Sequence, residues 1–177
     1  MPPFRPISAL ILTLTVTSIG ASSAQAHAEG RGPSTAEERA RALKIASESE
    51  KDPLGVMAAE GGWFEKWIQD IPDIQFGPEA PARWIANAAK GDLRKVMQFQ
   101  YTVSAVAYQI QHQVYDPKTL EEKLAIHQAA LEGVLRAYES LLPKRAENKS
   151  EKMEEAIALR GKGELPAFVK SIFDKKR

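Results

Sequence analysis

The amino-acid sequence predicts an all-α protein, a single helical bundle of five or six helices. Apolar residues recur at alternating spacings of three and four along two long segments, about 92–114 and 118–142. This spacing is typical of a helix with one buried face. No segment alternates apolar and polar residues for long enough to predict a β-strand. We therefore expect a bundle built on a long antiparallel helical hairpin.

The first 26 residues have the pattern of a secretory signal peptide. Arg5 precedes an apolar run over 9–16, and Ala24-Gln25-Ala26 matches a cleavage site of small residues. Cleavage there would leave His27 first, and a second site of the same kind would leave Glu29. The run is shorter than the roughly 20 apolar residues that a membrane-spanning helix needs. We expect an exported protein, periplasmic or secreted, without a transmembrane anchor in the mature chain.

Composition limits the class of partner and the source of stability. The chain carries 24 Lys and Arg residues against 23 Asp and Glu residues, and it has no cysteine. A nearly neutral balance argues against a nucleic-acid partner, because binding phosphates requires an excess of basic side chains. Without cysteine there is no disulfide framework, so apolar packing must supply the stability. The combination suits a bacterial periplasm.

A flexible leader over 27–35 is expected to precede one α-helical domain over 36–177. Thr35 followed by Glu38 forms a capping-box pattern, which predicts that a first helix starts at 36 and runs to about 50. A domain of this length, roughly 140 residues, is long enough to bury a core of its own.

The segment 54–91 combines tryptophan with helix-breaking residues. Trp63 and Trp67 stand four residues apart, which predicts a short helix over about 54–70, strained by Gly61-Gly62. Trp84 belongs to another short helix, which opens near Pro81 and ends at Gly91.

These tryptophans are the candidate ligand-binding residues of the sequence. Trp63, Trp67 and Trp84 could line a cleft for a ligand or touch a membrane surface, or they could fill a small core beneath a loop. We expect Trp67 to be buried, because Phe64 and Ile68 extend its apolar face, and Trp63 to be partly exposed.

The two long helices share one kind of narrow apolar seam, which is typical of helices packed at a shallow angle. Asp92 can cap the first helix, and Pro117 and Pro143 bound the second. Two shorter helices, near 151–160 and 165–174, are expected to close the bundle. The seam positions are Val96, Phe99, Val103, Val106 and Ile110 in the first helix, and Leu120, Leu124, His127, Leu131, Val134, Tyr138 and Leu141 in the second.

His127 is the one seam residue that could ligate a metal ion. A helical metal site needs a second donor three or four residues away, and the positions on either side hold Lys123 and Leu131. The Glu-x-x-His pattern of di-iron bundles is absent from the sequence. We expect a packed histidine with a local hydrogen bond, and neither a metal site nor a cofactor.

The stretch 45–53, with Glu48 at its centre, resembles the catalytic-glutamate helix of lytic transglycosylases. In that family the glutamate is a general acid acting on a glycan, so the resemblance implies this role for Glu48. The Gly-Leu-Met-Gln segment of the family is replaced here by Gly55-Val56-Met57-Ala58. The charged residues around Glu48 also fit a solvated helix face.

The sequence leaves three functional classes open. The first hypothesis is an exported, non-catalytic helical protein that binds another protein or an envelope component, because no constellation has catalytic spacing. The alternatives are a glycan-active enzyme using Glu48 and a small-ligand carrier using the Trp-rich segment 54–91. An enzyme would place Glu48 in a polar cleft, a carrier would enclose a pocket beside a tryptophan, and a binding protein would expose a flat apolar patch.

Overall fold

Seven α-helices and one short 3₁₀ helix make up the described part of the chain. The computed structural model describes residues 31–75 and 80–174. The predicted signal peptide, 1–26, and the start of the predicted leader lie outside the described residues. In chain order the helices are α1 (Ala36–Ser49), α2 (Pro53–Asp70), α3 (Ala80–Ala88), α4 (Gly91–His112), α5 (Leu120–Leu141), the 3₁₀ helix (Ala146–Asn148), α6 (Glu151–Gly161) and α7 (Leu165–Asp174).

The all-α class is confirmed for the described residues, which contain no strand. The expected count of five or six helices is wrong, because the described residues form seven, including the short helices expected near Pro81 and near 151–160, here α3 and α6. They are only 9 and 11 residues long, and helices so short depend on docking. Ile85 and Ala88 of α3, and Met153 and Ala156 of α6, lie in the same core as α4 and α5.

Side-chain caps fix where α1 and α5 begin. The Thr35 hydroxyl accepts the N–H of Glu38, and the Glu38 carboxylate accepts the N–H of Thr35 at 2.9 Å. The capping box expected at the start of α1 is therefore confirmed. Thr119 and Glu122 form the same arrangement at the start of α5, which adds a second capping box to the expected one.

α4 and α5 pack closely against each other. α4 begins at Gly91 after Lys90, so the cap expected from Asp92 does not form. Gly133 permits the close approach, since a Cβ at this position would lie 2.0 Å from Oγ of Ser104. Any larger residue at 133 would push the helices apart.

Two apolar clusters lie on either side of α4. The larger contains Val96 and Tyr101 of α4 with the buried faces of α3, α5, α6 and α7. The smaller contains Val103 and Val106 of α4 with the buried residues of α1 and α2. α4 is therefore the central helix, and α1 and α2 cover the face that α5 leaves free.

Polar contacts tie the segment after α2 to its neighbours. The N–H of Gln75 donates to the carbonyl of Tyr115 at 3.1 Å. The buried Gln109 amide, in the orientation that satisfies its partners, donates to the carbonyls of Gln75 and Val114. Ser34, at the end of the predicted leader, donates from its N–H and hydroxyl to the Asp73 carboxylate. The chain following α2 is thus fixed at the C-terminal end of α4.

Candidate functional site

The start of α2 combines an Asp52 cap with a proline at the first helical position. The Asp52 carboxylate accepts the N–H of Gly55 at 3.4 Å, and Pro53 occupies the first helical position, where its missing N–H costs nothing. A Cβ on Gly55 would lie 2.2 Å from the Asp52 carboxylate. This glycine is therefore required by the cap itself.

Arg41 of α1 holds α2 in place from one side. Its guanidinium lies 4.1 Å above the Trp63 ring and donates to the Glu60 carboxylate at 2.6 Å. Trp63 in turn stacks on Trp67 with ring centroids 5.3 Å apart. The cation–π contact and the ion pair of Arg41 therefore join α1 to α2.

An open apolar groove runs along the other side of α2, between α2 and α4. Its floor includes Phe64 and Phe99, which meet edge to face with centroids 5.9 Å apart. The groove has a volume of about 530 Å³. Its lining comprises Met57, Gly61, Gly62, Phe64, Glu65 and Ile68 of α2 and Lys95, Gln98, Phe99 and Thr102 of α4.

Two consecutive glycines form part of this lining. A Cβ on Gly62 would meet nothing within 4 Å among the described residues, and a Cβ on Gly61 would make only ordinary contacts with Met57 and Phe99. Each glycine inside a helix costs about 1 kcal/mol relative to alanine. Unlike Gly55, neither glycine is required by a contact within the described chain.

Opposite charges stand on the two walls of the groove. Glu65 belongs to α2 and Lys95 to α4, and both side chains are exposed. Neither forms an ion pair within the part of the chain that the structure describes. The groove is therefore apolar at its centre, with one acidic and one basic group free to meet a partner.

The structure places the predicted catalytic candidate Glu48 on the solvent-facing side of α1. Its carboxylate lies 3.7 Å from Nζ of Lys44, one turn earlier on the same helix. Glu48 is not among the residues lining the described cavities. An exposed i,i+4 ion pair of this kind is a common feature of a solvated helix face.

The structure does not bring the three predicted tryptophans together. Trp67 is 2 % exposed and Trp63 is half-buried, as expected, and both pack with the smaller cluster. Trp84 packs with the larger cluster instead, where its ring meets Phe168 of α7 at 5.3 Å. None of the three lines the α2–α4 groove.

His127 is buried in the larger core as a packed histidine. A hydrogen bond joins its Nδ1 to the Tyr101 hydroxyl, and its ring also meets Phe173 of α7. Burial of the ring, with a smaller contribution from the positive charge of Lys123, lowers the pKa of His127 to about 4. The imidazole is therefore neutral at physiological pH. The expectation of a packed histidine with a local hydrogen bond is confirmed.

The described residues contain neither a cluster of metal ligands nor a helix that could span a membrane. No group of three or more His, Asp or Glu side chains is arranged to hold a metal ion. No helix there has the length and apolar character needed to cross a bilayer.

Sequence reasoning missed most of the groove. Met57 lies about 40 residues before Lys95 and Phe99 in the chain, and a single helical pattern cannot show that they meet. One signal was available. Residues 53–59 carry no charge, and Gly61-Gly62 come immediately after the single charged residue Glu60. This part of the helix is therefore nearly free of the charged residues that a fully solvated helix face would carry.

Comparison with models of protein families gave no match, and neither curated proteins nor solved structures gave a significant one. The functional argument therefore depends on the geometry of the molecule.

Proposed function

We propose that the mature protein is an exported, non-catalytic binding protein, and that its binding surface for another protein is the α2–α4 groove. The open apolar lining between Phe64 and Phe99 is the observation that carries this proposal. A groove between two helices is a common site for an apolar segment of a partner.

The shape and lining of the groove favour a protein over the other partners considered. An envelope glycan would need many hydrogen-bonding groups, and the centre of the groove offers Met57, Ile68 and the two phenylalanines instead. A small-ligand carrier would enclose its ligand beside a tryptophan, whereas this groove is open and has no tryptophan in its lining. A glycan-active enzyme would place Glu48 in a cleft, whereas Glu48 is exposed.

Site-specific cross-linking in cells of the native host tests the binding surface. Gln98 is exposed and lines the groove, so a photoreactive p-benzoylphenylalanine at 98 should form one dominant protein adduct. The same group at Glu155, exposed on α6, serves as the matched control. Identical adduct patterns from both positions would contradict the proposal.

Export is a separate part of the proposal, and it is supported by the pattern over 1–26. N-terminal sequencing of the protein recovered from its host should give a chain that starts at His27 or Glu29. Soluble protein that retains Met1 would contradict export without affecting the groove.

We also propose that α4 and α5 form the antiparallel hairpin expected from the sequence. The connection between His112 and Leu120 can span at most about 28 Å when fully extended. α4 has 22 residues, which gives a length of about 33 Å. The connection is thus too short to return to the N-terminal end of α4, and close packing of the two helices favours opposite directions.

A further inference from the structure

The outer surface of α2 next to the groove is made of small residues. Gly55, Ala58, Ala59 and Gly62 are all exposed. Beside them, Met57 and Ile68 are only partly covered. A surface of this kind lets the backbone of another helix approach closely while apolar side chains fill the groove.

α2 and α4 run in the same direction. Phe99 is the level at which they meet, since a Cβ on Gly61 would lie 3.9 Å from its ring. Only five residues after the end of α2, Gln75 bonds to Tyr115, which follows α4. If the helices were antiparallel, five residues could not cover the roughly 30 Å to that end of α4.

The two free charges are placed symmetrically about the level where α2 and α4 meet. Glu65 is one turn beyond Gly61 along α2, and Lys95 is one turn before Phe99 along α4. With a rise of 1.5 Å per residue, each charge lies about 6 Å from that level, on opposite sides of it. A two-fold axis through that level would therefore bring Glu65 of one copy opposite Lys95 of another.

We propose that the occupant of the α2–α4 groove is a second copy of this chain, related by a two-fold axis near Gly61-Gly62. α2 of each copy lies in the groove of the other, so α2 and α4 of both copies form a four-helix contact. In this contact the two α2 helices approach each other most closely, at their small residues. This inference rests on the proposed function, because it takes the groove to be a protein-binding surface.

An isologous contact explains features that a different partner would leave unexplained. In a two-fold dimer each contact occurs twice, so the single Glu65 and the single Lys95 yield two ion pairs. Gly61 and Gly62, which no contact within the described chain requires, are placed where two backbones cross. The surface is thus complementary to itself in both shape and charge.

The size of the surface predicts a weak dimer. α2 has 18 residues, and two adjacent helices of that length present a face of about 27 by 20 Å. Each copy would therefore bury roughly 540 Å², or about 1,100 Å² for both, near the lower limit for a specific interface. The association should depend on concentration in the micromolar range.

Sedimentation equilibrium of the mature protein, with charge-reversed variants, tests the proposal. The wild-type protein should change from monomer toward dimer as its concentration rises from about 1 to about 500 µM. Glu65→Lys and Lys95→Glu should each remain monomeric, because each sets like charges against each other twice. An equimolar mixture of the two variants should form the dimer again, since both pairs are then of opposite charge. Glu155→Lys, an exposed change on α6, should behave as wild type.

Three results would overturn the second copy as occupant. The first is a wild-type protein that stays monomeric over the whole range. The second is a dimer that neither charge reversal weakens. The third is a mixture of the two variants that dimerises no more than either alone. Circular dichroism of each variant shows whether the fold is retained.

Cross-linking separates failure of this inference from failure of the proposed function. An adduct at position 98 with the mass of two copies supports the dimer. An adduct with a different host protein, combined with a monomeric chain, overturns the second copy and leaves the groove as a binding surface. No adduct specific to position 98 would contradict both.

Discussion

α5 and α2 both contain glycine well inside the helix, and the surroundings of these glycines differ. At Gly133 of α5 a Cβ would lie 2.0 Å from Oγ and 2.7 Å from Cβ of Ser104 on α4. At Gly62 of α2 a Cβ would meet nothing within 4 Å in the described residues. The first glycine lets two helices of the same chain meet, and the second faces an open groove.

The α4–α5 contact is fully packed, whereas the α2–α4 contact leaves apolar groups uncovered on one side. Along α4 and α5 the buried positions are filled, and Leu131 and Val134 are fully covered. Along α2 and α4 the phenylalanines meet, but Met57, Ile68 and Gly62 remain open on one side. Substitutions in the first contact should therefore lower the free energy of unfolding sharply, whereas those at the groove should change binding more than folding.

The largest effect is expected from a charge placed in a filled core. Leu131→Asp, in the α4–α5 contact, and Val103→Asp, in the smaller cluster that α4 forms with α1 and α2, should each reduce the free energy of unfolding by more than about 4 kcal/mol, because each buries an unpaired carboxylate. Both residues have no exposed surface. Urea denaturation measures the change, and complete loss of the cooperative transition would count as the expected result.

Met57→Asp, at the partly exposed groove, provides the matched control. Its carboxylate can reach water, so the loss should remain below about 1.5 kcal/mol. Equal losses in the free energy of unfolding for Met57→Asp and Leu131→Asp would show that the groove is closed in solution. That result would contradict the contrast between the α4–α5 and α2–α4 contacts.

The next effect comes from the buried His127. Its pKa is about 4 in the folded protein, whereas an imidazole in an unfolded chain titrates near pH 6.5. The unfolded state therefore binds the proton more tightly. The stability due to the neutral imidazole is complete above about pH 6.5 and decreases as the pH falls toward about 4. The total decrease should be about 3 kcal/mol.

His127→Gln should lose this dependence, because glutamine does not titrate. Urea denaturation of both proteins between pH 7.5 and pH 4 gives the difference directly, and carboxylates common to both cancel. Parallel curves for the two proteins would mean that the His127 imidazole is not protected from protonation in solution.

A single methyl group at the close helix contact should cost less. Gly133→Ala is expected to lower the free energy of unfolding by about 2 kcal/mol, because the new Cβ overlaps Ser104 and α5 must shift. The double variant Ser104→Gly with Gly133→Ala removes that overlap and should recover about half of the loss, less the helix propensity of the new glycine. A Gly133→Ala variant with an unchanged free energy of unfolding would show that the α4–α5 contact is loosely packed.

The fold class and the two long helices could be predicted from the sequence because their signal is local. The three-four pattern predicted 92–114 and 118–142, and α4 and α5 end within two residues of these bounds. Local signals also predict the short helices α3, near Pro81, and α6, near 151–160, but the total of seven helices exceeds the expected five or six. Short helices are marginal alone, and α3 and α6 are stable because Ile85 and Met153 dock on the central pair.

The candidate site was harder to predict because its residues come from different helices. The tryptophans of 54–91 drew attention as large aromatic side chains, but Trp63 and Trp84 belong to different clusters. The resemblance around Glu48 covers only nine residues, and Glu48 is exposed on α1. In the sequence, Gly61-Gly62 indicates only strain within α2. That this pair borders a groove depends on Phe99 of α4, a neighbour that only the fold reveals.

The smallest expected effect is an increase in the free energy of unfolding, whereas the other substitutions lower it. Gly62→Ala should raise the free energy of unfolding of the monomer by about 1 kcal/mol, since alanine favours the helix and the added Cβ meets no described atom. If two copies of α2 cross at this position, the same methyl group should weaken self-association. Urea denaturation at low concentration and sedimentation at high concentration measure the two effects separately. A gain in stability without weaker association would place the dimer contact elsewhere, and a loss of stability would show that Gly62 is already covered in the monomer.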